Sequence, residues 1–222
     1  MGLSRVHVMI KIIVIALVLS LILTPVSQRL MAWLLERNRE SMAEYALEPG
    51  PVCSNIGLGL GIFVALTLGL ALAPTMVSKA LSCFLLYWLW LLWLIDYRFQ
   101  FIFDDSLIPL VVLGLAATPY LPYSIWQRLA AAAGAFVALA ALAILGRGAL
   151  GGGDVKMMAA LGLWFGVNGI ITTACIGFIV GGVAAVIFLL LKIHGRKDYF
   201  AFGPFLIIGA VVSWMAQVLL WK

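Results

Sequence analysis

Two aspartates stand where an acid is costly. Asp96 directly follows the run Leu91-Leu92-Trp93-Leu94-Ile95, and Asp154 directly follows Gly151-Gly152-Gly153 and opens another apolar stretch. Only 10% of the chain is charged, so acids at the ends of apolar runs are candidates for function before they are candidates for solubility. Two carboxylates that share a site do not both ionise readily: one keeps a proton and the other loses it. The ionised group can take a proton from water as that water attacks an amide carbonyl. The protonated group can donate to the carbonyl oxygen and later to the leaving amine. Such a pair needs no Ser or Cys nucleophile and no metal.

The elements that must position them are membrane helices. The 222 residues are 65% hydrophobic with a mean hydropathy of +1.16, whereas soluble domains carry about 25% charged and about 45–50% apolar residues. Runs long enough to span a bilayer, roughly 17–25 residues, recur throughout, without the short alternating segments of a β-barrel. The expectation is an all-α polytopic membrane protein of about eight helices, some short: 8–26, 55–73, 79–97, 106–118, 127–146, 154–166, 170–191 and 201–220. The first helix is expected to be retained rather than removed as a signal peptide. The segment 28–51 reads as a short interfacial helix ended by Pro49-Gly50-Pro51. In domain terms, 1–54 is an N-terminal helix with an interfacial segment, and 55–222 is a membrane domain carrying the acids.

Alternate loops fall on one side. One side collects Arg29, Arg37, Arg39, Arg98, Arg147, Lys156, Lys192, Arg196 and Lys197, against Arg5, Lys79, Arg128 and Lys222 on the other. Nine against four makes the first side cytoplasmic, with both termini outside. Asp96, Asp104, Asp105, Asp154 and Asp198 all fall on the cytoplasmic side. The net charge of +5 is spread over loops, which points to topology and not to nucleic acid. Cys53, Cys83, Cys175, His7 and His194 lack metal-ligand spacing, so no metal is expected.

Each residue also has a blander explanation. Asp154 would serve as a helix N-terminal acid, and Asp96 would pair with Arg98 at the interface. Lys156, two residues after Asp154, would snorkel to the interface or tune the acid pair. The glycines 151–153 are expected to let a substrate backbone approach Asp154 and to unwind next to a wet cavity. No Gly-Lys-Ser/Thr follows them, which excludes a phosphate loop.

"GGGDVKMMAALGLWFG" resembles the GxGD signature of the type IV prepilin peptidases. "IDYRFQFIFDDSLIPL" is similar to that family's other acidic motif, with Asp96 on the first acid and Asp105 on the second. "FAFGPFLIIGA" looks like its Phe-Gly-Pro-Phe opening of the last helix. The likeness covers roughly 80–215. It implies an aspartic endopeptidase of the bacterial inner membrane, with Asp96 and Asp154 catalytic and Asp105 in support. Its substrates would be prepilins or pseudopilins of type IV pili or type II secretion, cut on the cytoplasmic side to release a short basic leader. Many members also hold paired Cys-x-x-Cys motifs between their first two helices and N-methylate the product. Here that region is about 28 residues with the one cysteine Cys53, so neither a zinc site there nor methyl transfer from S-adenosylmethionine is expected, and no cofactor is. Asp104 replaces the family's usual proline and is expected to loosen the start of the following helix. Two other classes remain open. Presenilin-type and signal-peptide-peptidase-type GxGD proteases also pair two acids, but with Tyr-Asp and Pro-Ala-Leu motifs, where this chain has Ile95-Asp96 and Phe202-Gly203-Pro204-Phe205. A non-enzymatic transporter or assembly protein with acids in a water cavity would tolerate Asp154→Asn in part.

Overall fold

The computed structural model describes residues 2–44, 54–146, 150–191 and 201–220. Cys53, Arg147, Lys192, His194, Arg196, Lys197 and Asp198 lie outside them. Among the described residues every regular element is helical: α1 Gly2–Arg37, α2 Arg39–Glu44, α3 Asn55–Leu72, α4 Met76–Phe99, α5 Asp104–Ala116, α6 Ile125–Leu145, α7 Gly152–Leu190 and α8 Gly203–Leu220, with one 3₁₀ turn at Thr118–Tyr120. Five are long and apolar enough to cross a membrane, and α8 is a shorter apolar helix. The chain is an all-α, multi-pass membrane protein in a lipid environment.

Helix starts follow local chemistry. Ser54 accepts from the Gly57 amide and caps α3. Ser124 and Gln127 form a capping box at α6, satisfying two amides that a helix start leaves free. Thr75 and Ser78 exchange backbone-to-side-chain bonds of 2.9 and 3.1 Å at the start of α4. Two boundaries differ from the sequence reading. α1 continues through Pro25 to Arg37 and absorbs the first half of the expected interfacial helix. No Gly or Pro follows until Pro49, and residues 28–37 are mostly good helix formers. The gap between the expected helices 79–97 and 106–118 is also shorter: α4 runs on to Phe99 and α5 begins at Asp104, Gln100 ends α4 in the left-handed region (φ 54), and Ile102 and Phe103 are buried.

The chain divides into two compact units, residues 1–94 and 95–221. In the first, α1 packs on α3. Gly61 faces the Trp90 ring, and a Cβ at Gly69 would stand 2.7 Å from Cys83 Sγ, so small residues set these approaches.

In the second unit α5, α6 and α8 pack against α7. A Cβ on Gly162 would lie 2.7 Å from Ala132 Cα, bringing α6 and α7 to backbone contact. The two expected helices 154–166 and 170–191 are the halves of α7, which breaks at Gly166 (φ 63, ψ −172). Carbonyls freed by such a break need donors. Gln217 Nε2 donates to Phe165 O at 2.9 Å, and Arg128 Nε donates to Leu163 O. Arg128, counted from sequence as a loop charge, is fully buried. It also donates to Gly114 O in the last turn of α5 and to Thr118 Oγ1 at 2.7 Å. One cation thus meets the negative ends of two helical segments.

Candidate active site

Asp96 occupies the last turn of α4, and Gln100 N returns a 2.7 Å bond to its carbonyl. Asp154 is the third residue of α7, whose N-cap is Gly151. Both side chains are nearly inaccessible, at 4% and 6% exposure. Each receives one backbone amide from a glycine: Gly203 donates to the Asp96 carboxyl group, and Gly151 to that of Asp154. Gly151 at the N-cap and Asp154 at N3 hold the two positions of a capping box, so the N-terminal placement foreseen for Asp154 does exist, with one of its oxygens toward Gly151. The other oxygen is free. Asp154 Oδ1 and Asp96 Oδ2 are buried and accept no hydrogen bond among the described residues.

These two free oxygens border a common point. A Cβ built on Gly203 would fall 2.5 Å from Asp96 Oδ2 and 3.0 Å from Asp154 Oδ1. The sum, about 5.5 Å, is an upper bound on the separation of the two oxygens. That is a spacing at which both can contact one water or one carbonyl group, and at which their charges are felt mutually. Buried carboxylate oxygens of this kind are expensive to leave unpaired, and their convergence is the arrangement that general acid–base hydrolysis requires.

The other candidates fall around this pair. A Cβ on Gly153 would lie 2.9 Å from Ile102 Cβ, so this glycine seats the start of α7 against the segment after Gln100. A Cβ on Gly151 would meet Asp154 Oδ2 at 3.2 Å, and Gly152 alone of the three faces open space. Lys156 pairs with Asp104, its Nζ 2.7 Å from each oxygen. Both partners are at least half exposed, so the lysine's charge is directed at Asp104. Asp104 does not loosen its helix: α5 begins at that residue, where an acid suits the helix dipole. Asp105 lies beside it in the first turn, partly buried. Arg98 is exposed, with its guanidinium 5.8 Å from the Phe99 ring centroid, while Asp96 is buried. Sequence reasoning missed Gly203 as part of the site. Its motif was visible, but nothing in one sequence says that the opening of α8 reaches both acids.

Residues 83–186, which hold both aspartates, match the type IV leader peptidase family. Several curated proteins that this chain resembles carry the name prepilin leader peptidase/N-methyltransferase. The protein of Xanthomonas campestris pv. campestris is 34% identical over 129 residues, which is 54% of this chain and 43% of the relative. That of Neisseria gonorrhoeae is 30% identical over 136 residues, 58% and 46% respectively. That of Pseudomonas aeruginosa is 32% identical over 134 residues, 58% and 44%. The match therefore spans less than half the length of these relatives. No solved structure matches the chain.

Proposed function

We propose that this protein is a membrane-embedded aspartic endopeptidase that removes the basic leader of type IV prepilins or pseudopilins at the cytoplasmic face of the bacterial inner membrane. The observation that carries this reading is the convergence of Asp96 Oδ2 and Asp154 Oδ1, both buried and unpaired, inside the leader peptidase segment. The pair works with one proton between them. The ionised carboxylate takes a proton from water while the water oxygen bonds to the scissile carbonyl carbon. The protonated carboxylic acid gives its proton to the carbonyl oxygen. When the tetrahedral intermediate collapses, the amine nitrogen takes a proton from the pair, one hydroxyl of the intermediate returns its proton to the ionised carboxylate as the C=O bond reforms, and the C–N bond breaks, leaving a carboxylic acid on the leader, a free amine on the pilin and one proton again on the pair.

Residues 55–222 form the peptidase domain in this proposal and 1–54 an N-terminal membrane segment. Gly152, facing open space, gives the substrate backbone room beside Asp154, and Asp105 supports the site from the first turn of α5. No methyl transfer is assigned to the chain, because the region between the first two helices offers the single cysteine Cys53 where paired motifs would be needed.

The test is co-expression with a tagged prepilin. Wild type is expected to shorten the prepilin, and Asp96→Asn and Asp154→Asn each to slow cleavage by at least about 100-fold, the scale of general acid–base catalysis. Unchanged cleavage in both variants would refute the assignment. Partial tolerance of Asp154→Asn together with an uncut prepilin would favour a transporter or assembly role. Mass measurement of the product's N-terminus reports methylation.

A further inference from the structure

The geometry points to Gly203 as a positioning residue of the aspartate pair, holding Asp96 by its amide and keeping the space between the two carboxyl groups open by its lack of a side chain. This rests on the function proposed above.

Three observations support it. First, α8 begins at Gly203, so its amide is one of those that a helix start leaves without an intrahelical acceptor. The next residue, Pro204, has no amide hydrogen, and the amides of Phe205 and Leu206 are committed to Phe202 O at 3.1 and 3.4 Å. Within this first turn, the donor that reaches the pair is therefore Gly203, and its acceptor is the Asp96 carboxyl group. Second, the position a Cβ would take is bordered by Asp96 Oδ2, Asp96 Cγ and Asp154 Oδ1, at 2.5, 2.9 and 3.0 Å. It is the point that a water or carbonyl oxygen must occupy to touch both acids. Third, the two bordering oxygens are the carboxylate atoms that remain unpaired. A methyl group at 203 would take the place of the reacting atoms.

Gly203 differs in kind from the packing glycines around it. Gly209, two turns along α8, faces the backbone oxygen of Thr173, which cannot move aside without shifting α7. The atoms facing Gly203 are the ends of side chains, which can swing away. Alanine at 203 should therefore leave the fold intact and displace a carboxyl group, while alanine at 209 should strain the fold and leave the chemistry alone.

The experiment uses the full chain in proteoliposomes with a prepilin that the wild type cuts. Gly203→Ala is expected to lower kcat by about 100-fold, the scale of a 1 Å misplacement at a reacting centre, with KM and the unfolding temperature essentially unchanged. Gly209→Ala is expected to lower the unfolding temperature, with kcat per folded molecule retained. If Gly203→Ala does lower the unfolding temperature, adding Asp96→Ala should restore it, because the overlap is with that carboxyl group. Wild-type kcat in Gly203→Ala, a loss that merely tracks the folded fraction, or no restoration by Asp96→Ala would overturn the inference while leaving the function standing. A wild-type chain that cuts no prepilin would overturn both.

Discussion

Replacing Arg128 by methionine removes the buried cation while keeping most of its volume. Two backbone carbonyls, Gly114 O and Leu163 O, then lose their side-chain donor, and Thr118 Oγ1 loses its partner. Leaving a buried acceptor unsatisfied costs about 1–3 kcal/mol, so two carbonyls give about 2–6 kcal/mol. Against this, the variant no longer has to desolvate a guanidinium, and an apolar side chain suits the site. The expected net loss is about 1–4 kcal/mol. It should appear as a lower midpoint in denaturant-induced unfolding of the purified protein in detergent. Arg128→Lys should lie closer to the variant than to wild type, since one ammonium cannot reproduce a planar group that serves three acceptors from different segments. A change below about 0.5 kcal/mol in Arg128→Met, within the range of ordinary surface substitutions, would refute the claim that this side chain ties α5 and the first half of α7 to the start of α6.

The aspartate pair predicts a bell-shaped dependence of kcat/KM on pH. At low pH both groups hold protons and the base is lost; at high pH neither does and the acid is lost. A flat profile across the accessible range would contradict shared acid–base duty. Lys156→Met should lower stability by no more than about 0.2–1 kcal/mol, because its pair with Asp104 is at least half exposed and screened. Prepilin cleavage should be nearly unchanged, and a large loss would place Lys156 in the chemistry. Gly166→Ala should lower the unfolding temperature, since φ 63 with ψ −172 is a conformation essentially reserved for glycine, at a cost of about 1–3 kcal/mol to other residues, and the added Cβ would lie 2.7 Å from the Tyr123 ring. Gly182→Ala, inside α7 with open space around the added methyl, should raise it.

Much of this was legible in the sequence because membrane helices announce themselves by composition. The expected segments 55–73 and 127–146 match α3 and α6 to within two residues at each end. The acids at 96 and 154 stood out because so few charges surround them. Other features depend on contacts between distant residues. Arg128 looks like a loop cation until Gly114 and Leu163 are seen to face it. The reach of Gly203 depends on the last turn of α4 meeting the starts of α7 and α8. The run from Gln28 to Arg37 misleads because its polar residues end the apolar stretch without ending the helix, being good helix formers themselves, and α1 runs on to Arg37.

α5 has 13 residues, and the part of α7 before its break, Gly152–Phe165, has 14. At 1.5 Å per residue each is about 20 Å long, against a hydrocarbon core of about 30 Å. The first half of α7 is mostly buried in protein, so α5 is the one of the pair that meets lipid along exposed Ile108, Val112 and Leu115, and a bilayer that thins to match it would bring headgroups and water toward the buried acids. Turnover should therefore respond to acyl-chain length, running faster in bilayers of short-chain lipids than in thick ones.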